Sequence, residues 1–99
     1  MATCTIIYWR DIPSQVIVKA GRKSAKRELP KRFIEAIDAA AMRSGASETD
    51  AYLADWRRST PEPCGDDLEA EAEAAATRLD ETYDKQRLVA LTANEGRNP

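Results

Sequence analysis

The sequence predicts an α+β domain, with an N-terminal antiparallel β-hairpin followed by three α-helices. Three observations predict it. Residues 3–20 are rich in β-branched and aromatic side chains and hold a proline-containing turn. Residues 29–44 and 66–91 repeat apolar side chains at spacings of three and four. The apolar share of 42% over 99 residues suits one small globular domain with a modest core.

The first strand spans Thr3 to Arg10. Alternation puts Cys4, Ile6 and Tyr8 on one face and Thr5, Ile7 and Trp9 on the other, so neither face is clearly polar. Asp11 to Ser14 reads as a turn, because Pro13 fixes its own φ and biases Ile12 toward an extended conformation. Gln15 to Ala20 is the second strand, with Val16 and Val18 on one face and Ile17 and Lys19 on the other. Gly21 ends it.

A two-stranded ribbon is marginal in water and its edges invite pairing. Helices can cover one face. The other face and at least one edge are then left for a second copy of the chain or for another protein.

Arg22 to Arg27 reads as a basic connector. Helix one starts near Glu28, since Pro30 is tolerable only in a first turn, and runs to Ser44. Leu29, Phe33, Ile37, Ala40 and Ser44 form its stripe, widened by Ile34, Ala36 and Ala41, and Gly45 is its C-terminal cap. Helix two opens on Ser47-Glu48-Thr49-Asp50, a capping-box pattern. Tyr52, Leu53 and Trp56 are its apolar side, Arg57 and Arg58 suit its C-terminal end, and Pro61 and Pro63 stop it. Thr60 to Gly65 is a linker.

Helix three runs from about Asp66 to near Leu91. Leu68, Ala72, Ala75, Leu79, Tyr83, Gln86 and Ala90 make a narrow stripe suited to lying on another helix. Leu88, Val89 and Leu91 fall off it, so the end of the helix reaches a different surface. Asn94 to Pro99 is expected to fray. Residues 61–99 thus add a linker, an acidic helix and a tail to the hairpin and two helices of residues 1–60, within one domain.

Composition excludes several chemistries. The chain has no histidine, which removes the Ser-His-Asp and Cys-His arrangements and the commonest metal ligand. Cys4 and Cys64 lie sixty residues apart, without metal-ligand spacing; reduced thiols are the expectation, with a disulfide between them as the alternative. No glycine-rich phosphate loop is present. No cofactor and no catalytic residue is expected. The sequence contains neither a run of 18 apolar residues nor a signal-peptide pattern, so a cytoplasmic protein off the membrane is the expectation.

Charge is lopsided. Residues 1–58 carry 11 Lys/Arg against 7 Asp/Glu, whereas residues 59–99 carry 4 against 10. The two halves can attract each other within one molecule, or the basic half can recruit an acidic partner. Arg22, Lys23, Lys26, Arg27, Lys31 and Arg32 are the candidates for such a contact, and for weaker nucleic-acid binding. At the bend, Tyr8, Trp9, Arg10 and Asp11 are candidates for a protein interface or for stacking a planar ligand. Their alternative is a plain structural role, with Arg10 and Asp11 paired at the turn. Asp80 and Asp84 share a helix face as a solvated carboxylate pair.

Tyr8 to Val18 (YWRDIPSQVIV), Leu29-Pro30-Lys31-Arg32-Phe33, Glu35-Ala36-Ile37-Asp38 and Ala41-Met42-Arg43 together resemble the small bacterial "virulence factor" domain family, over roughly residues 4–58. The resemblance brings no catalytic residue with it. In some bacteria the similar domain is joined to helical-repeat and iron–sulfur-scaffold-like domains. In others a short stand-alone version accompanies folate- and corrinoid-dependent methyl-transfer proteins. The resemblance therefore implies an accessory or adaptor role, with a protein partner or a homodimer expected. A second reading is a subunit of one-carbon metabolism that contacts a folate-type ligand through Trp9, Arg10 and the basic connector.

Overall fold

A computed structural model describes residues 2–45 and 49–97. Among the described residues the fold is α+β, with an antiparallel sheet at the N-terminus and four helices. In chain order the elements are β1 (Ala2–Trp9), β2 (Ile12–Ala20), β3 (Lys23–Glu28), α1 (Lys31–Ser44), α2 (Thr49–Ala54), β4 (Trp56–Arg58), β5 (Glu62–Cys64), α3 (Leu68–Thr82) and α4 (Lys85–Ala93).

The hairpin forms the centre of a larger sheet. The strand order is β3-β2-β1-β4, with β5 also on β1. The turn is tighter than expected. It lies at Arg10 and Asp11, and Arg10 takes a positive φ of 54°. Strand β2 therefore begins at Ile12 rather than Gln15. Its pairing with β1 slips by one residue between Ile7↔Gln15 and Tyr8↔Pro13, leaving Ser14 as a bulge. The bulge tolerates Pro13 in a central strand, because the ladder is already interrupted there. The Ser14 carbonyl turns outward and accepts from the Leu29 amide at 3.1 Å.

The basic connector is strand β3, paired with β2 from Ala20↔Lys23 to Gln15↔Glu28. Its sequence, KSAKRE, hides the strand because only Ala25 reaches the core. Lys23, Lys26 and Glu28 instead guard an outer edge against further pairing.

The other edge of β1 is covered by chain read from sequence as helix and linker. Trp56–Arg58 pairs with Ile7–Trp9 as β4. Glu62–Cys64 pairs with Ala2–Cys4 as β5. The register shifts by one residue between them, and Ser59 bridges the gap. Its amide donates to the Ile6 carbonyl, and its hydroxyl accepts from the Ile6 amide, both at 2.8 Å. Pro63 is tolerable because this is an edge strand. The Ser47 and Glu48 of the expected capping box lie outside the described residues.

Helix α3 crosses one face of the sheet rather than another helix. Its Ala72 and Ala75 meet Ala2, Val16, Val18 and Ala25. The long C-terminal helix is broken at Tyr83 and Asp84. Asp84 caps α4 by accepting from the Arg87 amide at 2.8 Å, as Asp67 caps α3 by accepting from Ala70 at 3.2 Å. The break lets Leu88 and Leu91 join Phe33, Ile37, Ala40 and Tyr83 in a second cluster at the hairpin-turn end, which also buries Trp9 and Ile12. Gly45 ends α1 in the left-handed region, as expected, at φ 76°. The tail is anchored through Arg97. The Gly96 carbonyl accepts from the Asp11 amide at 2.8 Å, and Gly96 lies against the Trp9 ring. No described helix is long and apolar enough to cross a membrane.

Candidate interaction face

Strand alternation and register build the sheet face opposite α3 as three transverse rows. Lys19 stands between Thr3 and Ser24. Ile17 stands between Thr5 and Lys26. Gln15 stands between Ile7 and Glu28, with Arg58 beyond Ile7. None of these residues belongs to either hydrophobic cluster. Thr3, Thr5, Ile7, Gln15 and Ile17 are half-buried by their neighbours, while Lys19, Ser24, Lys26, Glu28 and Arg58 are exposed. A shallow depression of about 650 Å³ runs over Ile7, Gln15, Ile17, Trp56 and Arg58. The charged side chains of the three rows are Lys19, Lys26 and Arg58 against Glu28, which stands 4.0 Å from Lys26. Among the described residues, neither Lys19 nor Arg58 enters an ion pair.

The bend residues form a clamp. Trp9 is fully buried, its indole N–H donates to the Tyr52 carbonyl at 2.9 Å, and Tyr52 stacks on its ring at 5.8 Å. Arg10 lies over Trp9 at 4.7 Å. A planar ligand therefore finds no open face on Trp9, which takes the structural role that was the alternative to a stacking platform. Arg10 and Asp11 each meet the β4 side. Arg10 pairs with Asp55 at 3.0 Å and donates to the Glu95 carbonyl at 2.7 Å. Asp11 pairs with Arg57 at 3.2 Å, and Arg57 lies over the Tyr8 ring at 4.5 Å. Burial raises the Tyr8 phenol pKa, with a further push from Tyr83, against the opposing pull of Arg57.

The basic run does not form one patch. Arg27 points to the helix side, where it binds Glu69 and, at 3.0 Å, Glu73 of α3. Arg32 binds the Asp80 side chain and donates to the Asp80 carbonyl at 2.8 Å. Lys31 stands 4.0 Å from Glu35. Arg22 and Lys23 are exposed at the β2–β3 turn, and Lys26 alone of the six lies on the open face. The two charge-biased halves are thus bound together through Arg27 and Arg32.

The profile of the family described as Virulence factor matches residues 7–92. The chain belongs to the virulence factor family. The match takes in α3 and nearly all of α4, so the acidic helical region lies within the virulence factor domain and not beyond it, as the shorter resemblance had implied. No curated protein and no solved structure matches the chain.

The virulence factor domain also has a cleft of about 490 Å³ between α3 and the β1–β5 edge, with Cys4, Ile6, Glu62, Cys64, Glu71 and Arg78 in its wall. Both cysteines are free thiols. Burial raises the pKa of Cys4, with a push from Cys64 and an opposing pull from Arg78. Burial also raises that of Cys64, helped by Glu71 and Asp66. Sequence reading passes over Lys19 and Arg58 as site residues and finds no metal-ligand spacing in the cysteines, with a disulfide between them left as an alternative. That Thr5 shares a strand face with Ile7, and Lys19 with Ile17, was the available signal for the open face. The pairing that adds Arg58 had no local signal.

Proposed function

We propose that this virulence factor domain is a non-enzymatic adaptor that docks on the acidic surface of a partner protein through the open face of its sheet. The carrying observation is an uncovered face with Ile7 and Ile17 at its centre, framed by Lys19, Lys26 and Arg58 against the single acid Glu28. Buried apolar contact supplies affinity in such an interface, and rim charge selects the partner. A face with this charge repels its own copy, so the reading favours a different protein over a face-to-face homodimer. The absence of histidine from the sequence supports a binding role over an acid–base one. The reading also takes the domain to work in the cytoplasm, where free thiols persist.

The test is zero-length carbodiimide cross-linking of the tagged full chain in extracts of the cells that produce it. The expected product joins Lys19 or Lys26 to an Asp or Glu of one recurrent partner, mapped by mass spectrometry. It should weaken strongly in a folded I17E/R58E variant, which keeps both lysines. Cross-links only between two copies of the chain, full retention of the adduct by that variant, or adduct loss on nuclease treatment would each overturn the proposal.

A further inference from the structure

The two cysteines are far apart in sequence, but the sheet brings them together. Cys64 stands opposite Ala2, and Cys4 opposite Glu62, so the two thiols are diagonal neighbours on adjacent antiparallel strands. They line one cleft and pack against one hydrophobic cluster, which puts them on the same face.

Diagonal neighbours have Cα atoms about 7–8 Å apart. A disulfide needs roughly 4.4–6.8 Å. A pair in this register is thus set wider than an unstrained S–S bond prefers. A metal ion between the sulfurs inserts two metal–thiolate bonds of about 2.3 Å each and spans the wider gap. Thiolates select soft ions, cuprous copper among them. Among the described residues, no group of three His, Cys, Asp or Glu side chains is placed to hold a metal. A tetrahedral zinc site is therefore not on offer, and a two-coordinate ion is the fitting occupant.

We propose that Cys4 and Cys64 form a two-coordinate site for a soft monovalent cation of the cuprous type. Binding is not a redox step. One Cu⁺ and two thiols give a bis-thiolate complex of net charge −1, and two protons pass to solvent. Arg78 faces the cleft and offsets that charge, while Glu62 and Glu71 oppose it. Ile6, Ala75 and Leu79 line the same cleft and limit access of water to the ion.

The experiment is an anaerobic titration of the reduced full chain with Cu(I), competing against a bathocuproine chelator. One equivalent should bind, and C4S and C64S should each weaken binding about 100-fold or more, since even outer-shell changes at metal sites cost 10–100-fold. Zn²⁺ at the same concentration should not displace it. If a variant fails to fold by circular dichroism, alkylation of the wild-type chain decides, because Cu(I) should shield both thiols together. Failure to draw copper from the chelator, unchanged binding in a folded single variant, shielding of one thiol alone, copper-dependent dimers, or ready closure to an intramolecular disulfide on mild oxidation would each overturn the proposal.

Discussion

Gly96 shows how one residue at the end of the chain secures the start of the fold. Its φ is +86°, and a Cβ built there would meet the Trp9 ring at 2.8 Å. Gly96→Ala should therefore lower stability by about 1–3 kcal/mol through overpacking and a strained backbone, read as a shift in urea midpoint. Trp9 was legible as a large apolar residue at the bend, but its partners Tyr52 and Gly96 lie 43 and 87 positions away. No local pattern reports contacts at that range. Burial also raises the phenol pKa values of Tyr8 and Tyr52, the latter helped by Asp38. The folded state thus favours neutral tyrosine. The contribution is fully present below the unfolded value of about 10 and is lost as pH rises through the folded values. Denaturant midpoints should hold to about pH 10 and fall above it, and Tyr8→Phe and Tyr52→Phe should each make that decline shallower.

At the scale of elements, α3 rests on the sheet through small residues. Ala72 is fully buried between the helix and the strands, so Ala72→Leu has nowhere to place its added atoms. It should cost about 1–3 kcal/mol and lower the melting temperature, whereas the same change at exposed Ala74 should be near neutral. The stripe was legible from Leu68 to Tyr83 because helical periodicity is local, but its continuation through Gln86 and Ala90 fails, since the helix breaks at Tyr83 and both are exposed on α4. What it packs against was not, since alanine fits a helix or a sheet equally well. Strand β3 was illegible for a related reason. An edge strand with one side exposed and guarded by charge has a loop-like composition. Strands β4 and β5 exist only because β1 offers an open edge, and three residues each give no period to read. The split of α3 from α4 was half visible, in Leu88 and Leu91 leaving the stripe, but Asp84 was expected to share a helix face with Asp80 and instead caps α4, while Asp80 pairs with Arg32.

Across the whole molecule, the hairpin's need for cover is met largely from within. β3 pairs with the free edge of β2, β4 and β5 share that of β1, and α3 closes one face. The family match over residues 7–92 agrees with a unit that requires its C-terminal helices. A fragment of residues 1–60 lacks β5, α3 and α4, and so leaves Ala2, Val16, Val18, Ala25 and Phe33 uncovered. It should show no cooperative thermal transition by circular dichroism, while residues 1–97 should melt in one step. The sequence by itself determined the α+β class, the hairpin, the stripe and C-terminal cap of α1, the charge asymmetry and the lack of histidine chemistry. These are properties of local periodicity and composition. Tertiary structure alone decided that three further strands complete the sheet, that Arg27 and Arg32 pair with α3, that Lys19, Lys26 and Arg58 share an open face, and that Cys4 and Cys64 are neighbours. Each of these depends on which strand edges meet, and backbone groups at an edge pair with whichever segment the rest of the fold delivers.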